Sequence, residues 1–175
     1  MQTELKLSGS GGQGLILAGV ILAEAALLDG KHAVQSQSYG PEARGGASKA
    51  EVIISDSGID FMKVQKCDML LCLTQAAYDK YGKDYTAVLV LDESLEVKYA
   101  APAKVVKLPI LACAADKLGK PMVANIVALG AINGILNLVS MESLSKAVLS
   151  LVPKGTEELN KRALEAGFEL AKGNV

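Results

Sequence analysis

The stretch Thr3-Glu4-Leu5-Lys6-Leu7-Ser8-Gly9-Ser10-Gly11-Gly12-Gln13-Gly14 decides how the 175-residue chain reads, because an alternating strand runs into a glycine turn and then into a long apolar helix. Residues Thr3 to Leu7 alternate polar and apolar, and almost every residue from Gly14 to Leu28 is apolar. The glycines therefore sit at a strand-to-helix junction. The first N–H groups of a helix have no intrahelical acceptor and point back at such a turn. Glycine has no Cβ, so the backbone can take positive φ and a phosphate can approach it closely. Gly9, Gly11 and Gly14 also satisfy the G-x-G-x-x-G spacing, although glycine turns close strand–helix junctions for packing reasons too. A nicotinamide site further needs an acid at the end of the second strand, about 20 residues on. Asp29-Gly30 reads instead as the stop of the first helix, and the second strand, Lys31 to Gln37, ends in Ser38-Tyr39-Gly40 without an acid.

Composition narrows the classes. The length suits one domain spanning residues 1–175 with a proper core. A net charge of −1 and the lack of a Lys/Arg cluster interleaved with aromatics argue against nucleic-acid binding. The polar start Met1-Gln2-Thr3-Glu4 leads straight into a strand, so no signal peptide is expected and the expected location is cytoplasmic. The charge-free segment 122–139 approaches membrane-spanning length, but Asn125, Asn133 and Asn137 would be costly in lipid. Gly130, Asn133, Gly134 and Asn137 fall on one helical stripe that permits close approach by another element, either in the same domain or in a second subunit. Cys67, Cys72 and Cys113 form no C-x-x-C pair, so neither a disulfide framework nor a metal site is expected. Nor can three cysteines and one histidine, His32, supply an iron–sulfur cluster on their own. Half of the residues are hydrophobic and only 4% are aromatic, a balance consistent with surface buried against partners.

The remaining punctuation predicts a parallel α/β layout. Residues 49–54 alternate before the turn Asp56-Ser57-Gly58; residues 69–73 and 87–91 are apolar runs of the kind covered on both faces, with a helix near Gln75 to Tyr81 between them. A strand near 104–108 precedes a helix over 110–118; Ser140 and Thr156 are the expected caps of the last two helices. The expected fold is a single three-layer α/β domain with a mostly parallel, Rossmann-like sheet and C-terminal helices.

A second loop, Ser36-Gln37-Ser38-Tyr39-Gly40-Pro41-Glu42-Ala43-Arg44-Gly45-Gly46, combines hydroxyls, an amide, one acid, one Arg and three glycines. In a parallel sheet it leaves the same carboxyl edge as the glycine turn, so the Arg44 fork could meet an anion there. A surface Glu42–Arg44 pair on a Gly/Pro turn is the alternative.

Gly9-Ser10-Gly11-Gly12-Gln13-Gly14 together with Tyr39-Gly40-Pro41-Glu42-Ala43-Arg44-Gly45-Gly46-Ala47-Ser48 resembles the gamma subunits of the 2-oxoacid:ferredoxin oxidoreductases, above all the 2-oxoglutarate type. The likeness runs end to end and includes Asp29-Gly30 and the Ala50 to Ser55 strand. It implies a subunit, silent alone, of an oxidoreductase that decarboxylates a 2-oxoacid on thiamine diphosphate, reduces ferredoxin through iron–sulfur clusters and forms an acyl-coenzyme A. The implied partners are alpha, beta and ferredoxin-like subunits and ferredoxin itself, with no nucleic acid and no membrane; a homo-oligomer of the isolated chain stays open. The clusters and thiamine diphosphate are expected mainly on other subunits, and this chain on the coenzyme A side. Residues expected to contact the cofactor are Gly9, Ser10, Gly11, Gly12, Gln13, Gly14, Tyr39, Glu42, Arg44, Gly45 and Gly46. The small subunit of an indolepyruvate-type enzyme and a purely structural scaffold subunit are the alternatives.

Overall fold

The strand that opens the chain becomes the middle of the sheet. The structure, a computed structural model, describes residues 1–38, 46–99 and 103–174. Its strands are β1 (Gln2–Ser10), β2 (His32–Gln37), β3 (Ala47–Ser55), β4 (Met69–Cys72), β5 (Val88–Asp92) and β6 (Lys104–Leu108). They form one six-stranded sheet in the order β2-β3-β1-β4-β5-β6. The pairs β1–β4, β4–β5 and β5–β6 are parallel. Strand β3 is antiparallel to both β1 and β2, so two reversals leave β2 running the same way as β1. The sheet is mostly parallel, as expected, with β3 as the inserted exception.

Helices cover both faces unequally. The larger core packs α1 (Leu15–Leu28), α4 (Ala124–Leu136), α5 (Met141–Leu151) and α6 (Glu157–Ala171) against one set of strand side chains, among them Leu5, Leu7, Met69 and Leu71. The opposite set, including Leu70, Cys72, Leu89 and Leu91, packs with Tyr78 and Tyr81 of α2 (Gln75–Tyr81). Alternate residues of β4 thus enter different cores, which is why its apolar run does not alternate. The charged residues of β1 are buried on the α2 face with partners. Glu4 accepts backbone hydrogen bonds from Gln65 (2.5 Å) and Lys66 (2.9 Å), and Lys6 pairs with Asp84.

Local signals hold at the helix ends. Gly30 takes φ +74°, and the bonds Gly30 N to Leu27 O and Lys31 N to Ala26 O, both 2.9 Å, close α1 in the paired pattern of a left-handed stop. Asp29 then accepts from the N–H (2.6 Å) and hydroxyl (2.7 Å) of Ser140, tying the end of α1 to the start of α5. Ser140 caps α5 through Ser143 N at 3.1 Å. Thr156 departs from expectation: its hydroxyl donates to Pro153 O at 2.6 Å and makes no cap bond. The helix expected over 110–118 is a short α3 (Ile110–Ala112) continuing into a π-helix, Cys113–Lys117. The segment 122–139 splits into a 3₁₀ turn, Pro121–Val123, and α4.

The small-residue stripe of α4 meets α6 of the same chain. A Cβ on Gly130 would lie 2.1 Å from Leu164 O, and one on Gly167 would lie 1.9 Å from Val127 O. Only glycines permit this approach. Asn133 closes the turn beyond α4 by bonding both the N–H (3.1 Å) and the carbonyl (2.9 Å) of Val139. No helix among the described residues is long and apolar enough to cross a membrane.

Candidate functional site

The glycine turn sits at the carboxyl edge of β1 and is braced from behind. Gly12 and Gly14 take positive φ, +87° and +73°, conformations in which a side chain is strained. Ser10 N–H donates to Gln13 Oε1 at 2.8 Å, so the Gln13 side chain folds back across the turn. Gly9 makes that fold possible, because a Cβ there would sit 2.2 Å from the same oxygen. Asn125, buried at the start of α4, donates from Nδ2 to Gly14 O at 3.1 Å, and a Cβ on Gly14 would lie 2.5 Å from that nitrogen. Gln13 thus spends its carbonyl on the turn itself, and Asn125 is a brace that the glycine spacing does not announce.

Beyond these braces the mouth of α1 is open. Ala18 is the first residue to close the helix, donating to Gly14 O at 3.0 Å. The N–H groups of Leu15, Ile16 and Leu17 have no intrahelical acceptor, and Gly14 supplies no side-chain cap. The first turn carries no acid that would compete with an arriving anion. Chemically, this is a set of backbone donors at a positive dipole end, suited to phosphate.

The second loop is rooted beside it. Gln37 pairs with Ala50, Ala50 with Leu7, Ser48 with Gly9 and Ala47 with Ser10. Both stems of the loop therefore stand at the carboxyl edge next to the glycine turn. Gly46 is half-buried where the chain returns. Tyr39, Glu42, Arg44 and Gly45 lie outside the described residues.

Two recesses flank the turn, neither visible in sequence spacing. One, of about 230 Å³, lies between Gly12 and Gly14 and the apolar residues Leu17, Ile126, Val152 and Leu159. The other, of about 380 Å³, runs from Gly12 and Gln13 to Leu111 and Pro121. Met122, 77% exposed, borders both. Apart from Leu17 of α1, the walls facing the turn come from residues more than 90 positions beyond it, on α3, α4, α6 and the segments between them, so only the tertiary fold assembles them.

The cysteines offer no reactive thiol. Burial pushes Cys67 up to about 12. It pushes Cys72 to about 12 as well, despite the hydrogen bond from Ser8. Among the described residues no group of three or more His, Cys, Asp or Glu is placed to hold a metal ion.

The fold and site define a class: a mostly parallel α/β domain with an anion-suited turn at its sheet edge and no assembled nucleophile–base set among the described residues. Residues 4–170 match the pyruvate ferredoxin/flavodoxin oxidoreductase family, and the chain belongs to that family, as a gamma-type subunit of a 2-oxoacid:ferredoxin oxidoreductase. It is 54% identical to the 2-oxoglutarate synthase subunit KorC of Methanocaldococcus jannaschii, an alignment covering 98% of this chain and 95% of the relative. The gamma subunit of a keto/oxoacid ferredoxin oxidoreductase from Geobacter sulfurreducens superposes with a TM-score of 0.87 at 53% identity, covering 97% of this chain and 98% of that one. The 2-oxoglutarate:ferredoxin oxidoreductase of Magnetococcus marinus, solved with 2-oxoglutarate, coenzyme A and succinyl-CoA bound, shares the fold at TM-score 0.85 and 20% identity. That likeness covers 98% of this chain and 31% of the larger one.

Proposed function

We propose that this chain serves a complex that converts 2-oxoglutarate, coenzyme A and two oxidised ferredoxins into succinyl-CoA, carbon dioxide, a proton and two reduced ferredoxins, and that it supplies contacts to coenzyme A. Support for the substrate comes from the identity to the Methanocaldococcus 2-oxoglutarate synthase subunit. Support for the coenzyme A role comes from one observation above all: the open N–H groups at Leu15, Ile16 and Leu17, held outward by the Gln13 and Asn125 braces. Phosphates of coenzyme A would take bonds from those groups, and the Arg44 fork, carried on the loop rooted beside them, would add a bidentate partner. In this reading alpha, beta and ferredoxin-like subunits hold thiamine diphosphate and the iron–sulfur clusters, and the chain works in the cytoplasm. Thiamine diphosphate supplies the electron sink for decarboxylation when bound; this chain binds and orients the acyl acceptor.

A second role in assembly is favoured by α1, whose only charged residue is Glu24. Ile16, Val20, Leu27 and Leu28 of this helix are exposed, an apolar surface of the kind that docks a neighbour. The two roles separate at Arg44. In the assembled complex, Arg44→Ala should raise the KM for coenzyme A about 10- to 150-fold, the loss of a charged hydrogen bond worth roughly 1.5–3 kcal/mol, with Arg44→Lys between it and wild type. Wild-type kinetics in an intact complex would remove Arg44 from the site, and failed assembly would assign it to docking. Turnover of a panel of 2-oxoacids by the same complex tests the substrate.

A further inference from the structure

Strand β2 and helix α1 leave one side of the domain open. β2 is an outermost strand, and among the described residues no strand pairs with its outer side. Natural sheet edges are blunted by charge, proline or a bulge. His32-Ala33-Val34-Gln35-Ser36-Gln37 has no Lys, acid or Pro, runs in unbroken register with β3, and none of its residues is buried. Above this edge, Ile16, Val20, Ala23 and Leu27 of α1 are spaced four, three and four residues apart, an apolar seam of the coiled-coil kind. Ile16, Val20 and Leu27 are 38%, 36% and 53% exposed. A Cβ on Gly19 would touch Gln35 Cγ on β2 and Ala50 Cβ on β3, each at 3.3 Å, so Gly19 marks the side of α1 that lies on these strands. The seam is centred about 70° round the helix from Gly19, on the side away from the core residues Ile21 and Ala25. It therefore faces out over the β2 edge.

We propose that this side is a two-fold interface with a second copy of the chain, in which β2 pairs antiparallel with β2 and the two α1 seams pack together above the joined sheet. The inference rests on the reading of α1 as a docking helix, and it names what the helix docks. Register supports it first. A two-fold axis normal to the sheet keeps every side chain on its own face, so some residue of β2 must stand opposite itself. Gly19 stands over Gln35. Val34 lies about 3.3 Å nearer the amino edge, about two residues further along α1, which is the midpoint between Val20 and Ala23. One axis through Val34 therefore centres both strand and seam, setting Val20 against Ala23, and Ile16 against Leu27, of the second copy. Spacing agrees as well. Since α1 packs on β2 and β3 alike, it lies about half a strand spacing inside β2, and joining the edges puts the two helix axes about 10 Å apart, the distance of packed helices. Charge does not oppose the pairing: a two-fold sets like against like, and Glu24, the only charged residue of α1, lies off the seam. A contact about 20 Å long and two layers deep has a footprint on the order of 400 Å² per copy. That is below the about 800 Å² of a standard partner surface, so the dimer is a reversible one with a micromolar dissociation constant.

The test is sedimentation velocity of the full chain across the micromolar range, with disulfide trapping to read the register. Wild type should dimerise reversibly, and Val20→Glu, which brings two like charges together near the axis, should weaken the dimer at least about tenfold. Leu28→Glu, exposed on the same helix but off the seam, should leave it unchanged. If Val20→Glu does not fold, Leu27→Glu charges the seam at a more exposed position. Val34→Cys should form a disulfide-linked homodimer on mild oxidation, because facing residues of antiparallel strands have Cα atoms about 4.5–5.5 Å apart, within disulfide reach. Ser36→Cys should not, since its two copies would lie about 13 Å apart along the joined strands. The chain's own three cysteines are buried and do not compete. A dimer indifferent to the seam charge, or equal trapping at residues 34 and 36, overturns the proposed interface. A monomer throughout overturns it too, and the whole complex then separates the two readings: if Val20→Glu blocks assembly, α1 docks a different subunit, whereas normal assembly overturns the docking role of α1 as well.

Discussion

Replacing Ile16 by proline deletes one backbone donor from the mouth of the glycine turn at a position where the fold tolerates it. Ile16 is the second residue of α1, so its N–H has no intrahelical acceptor to lose. The fixed φ of proline matches the first helical turn, and the ring's usual clash with the carbonyl four residues back falls outside the helix. The side chain is 38% exposed, so truncation leaves no enclosed cavity. A hydrogen bond from backbone to phosphate is charge-assisted and worth roughly 1.5–3 kcal/mol, or about a 10- to 150-fold rise in the KM for coenzyme A. Ile16→Ala is the control: it removes the same apolar surface and keeps the N–H. Both variants are assembled into the complex, checked for subunit stoichiometry and melting temperature, and assayed with coenzyme A varied and 2-oxoglutarate saturating. An intact Ile16→Pro complex whose KM stays within about twofold of Ile16→Ala would refute the helix mouth as an anion site.

Three further outcomes follow from the packing. Gly14→Ala adds left-handed strain of about 1–2 kcal/mol and displaces Asn125 from a hydrogen bond worth about 0.5–1.5 kcal/mol, so thermal melts of the isolated chain should show a fall of several degrees; an unchanged melt would mean that the brace is dispensable. Gly167→Ala gains roughly 1 kcal/mol of helix propensity, but its Cβ would meet Val127 O at 1.9 Å, and overpacking of about 1–3 kcal/mol or more should win; a variant as stable as wild type would show that α4 and α6 can part freely. Cys67 and Cys72, both held at about 12, carry only about one thiolate in 10⁴ at pH 8, so iodoacetamide should spare them in the native chain and label them after unfolding; native labelling at the rate of a free thiol would contradict their burial.

Signals confined to a few consecutive residues were legible in the sequence. The glycine turn, the Asp29-Gly30 stop and the Ser140 cap each depend on backbone geometry within one turn of chain, which residue type dictates directly. The place of β3 was not legible. Alternation over 49–54 announces a strand, yet nothing local says that it enters antiparallel between β2 and β1, because strand order is a long-range choice. Thr156 shows a different limit. It stands where a cap belongs, but the Val152-Pro153 turn before it offers the Pro153 carbonyl at 2.6 Å, and the hydroxyl donates there. The π-helical turn at Cys113–Lys117 likewise left no composition cue. The glycine turn stands out by its spacing, but the parts its residues play in the backbone divide only in the structure: Gly9 makes room for Gln13, Gln13 braces Ser10, and Gly12 and Gly14 carry the unusual backbone.

The insertion of β3 fixes where the second loop is rooted. Had the sheet been parallel throughout, β2 would lie directly beside β1 and its exit would begin one strand spacing, about 4.8 Å, from the turn. With β3 between them, the chain leaving Gln37 must cross to Ala47, which pairs with Ser10 at the end of β1. Residues 38–46 therefore connect two strand ends at the same edge of the sheet, with the returning end bonded to the strand that carries the glycine turn. Both stems of that connection stand beside the glycine turn, which Asn125 of α4 braces and whose flanking recesses the first residues of α4 border. The antiparallel strand therefore roots the second loop beside the glycine turn, without the acidic second-strand terminus that a nicotinamide site would need.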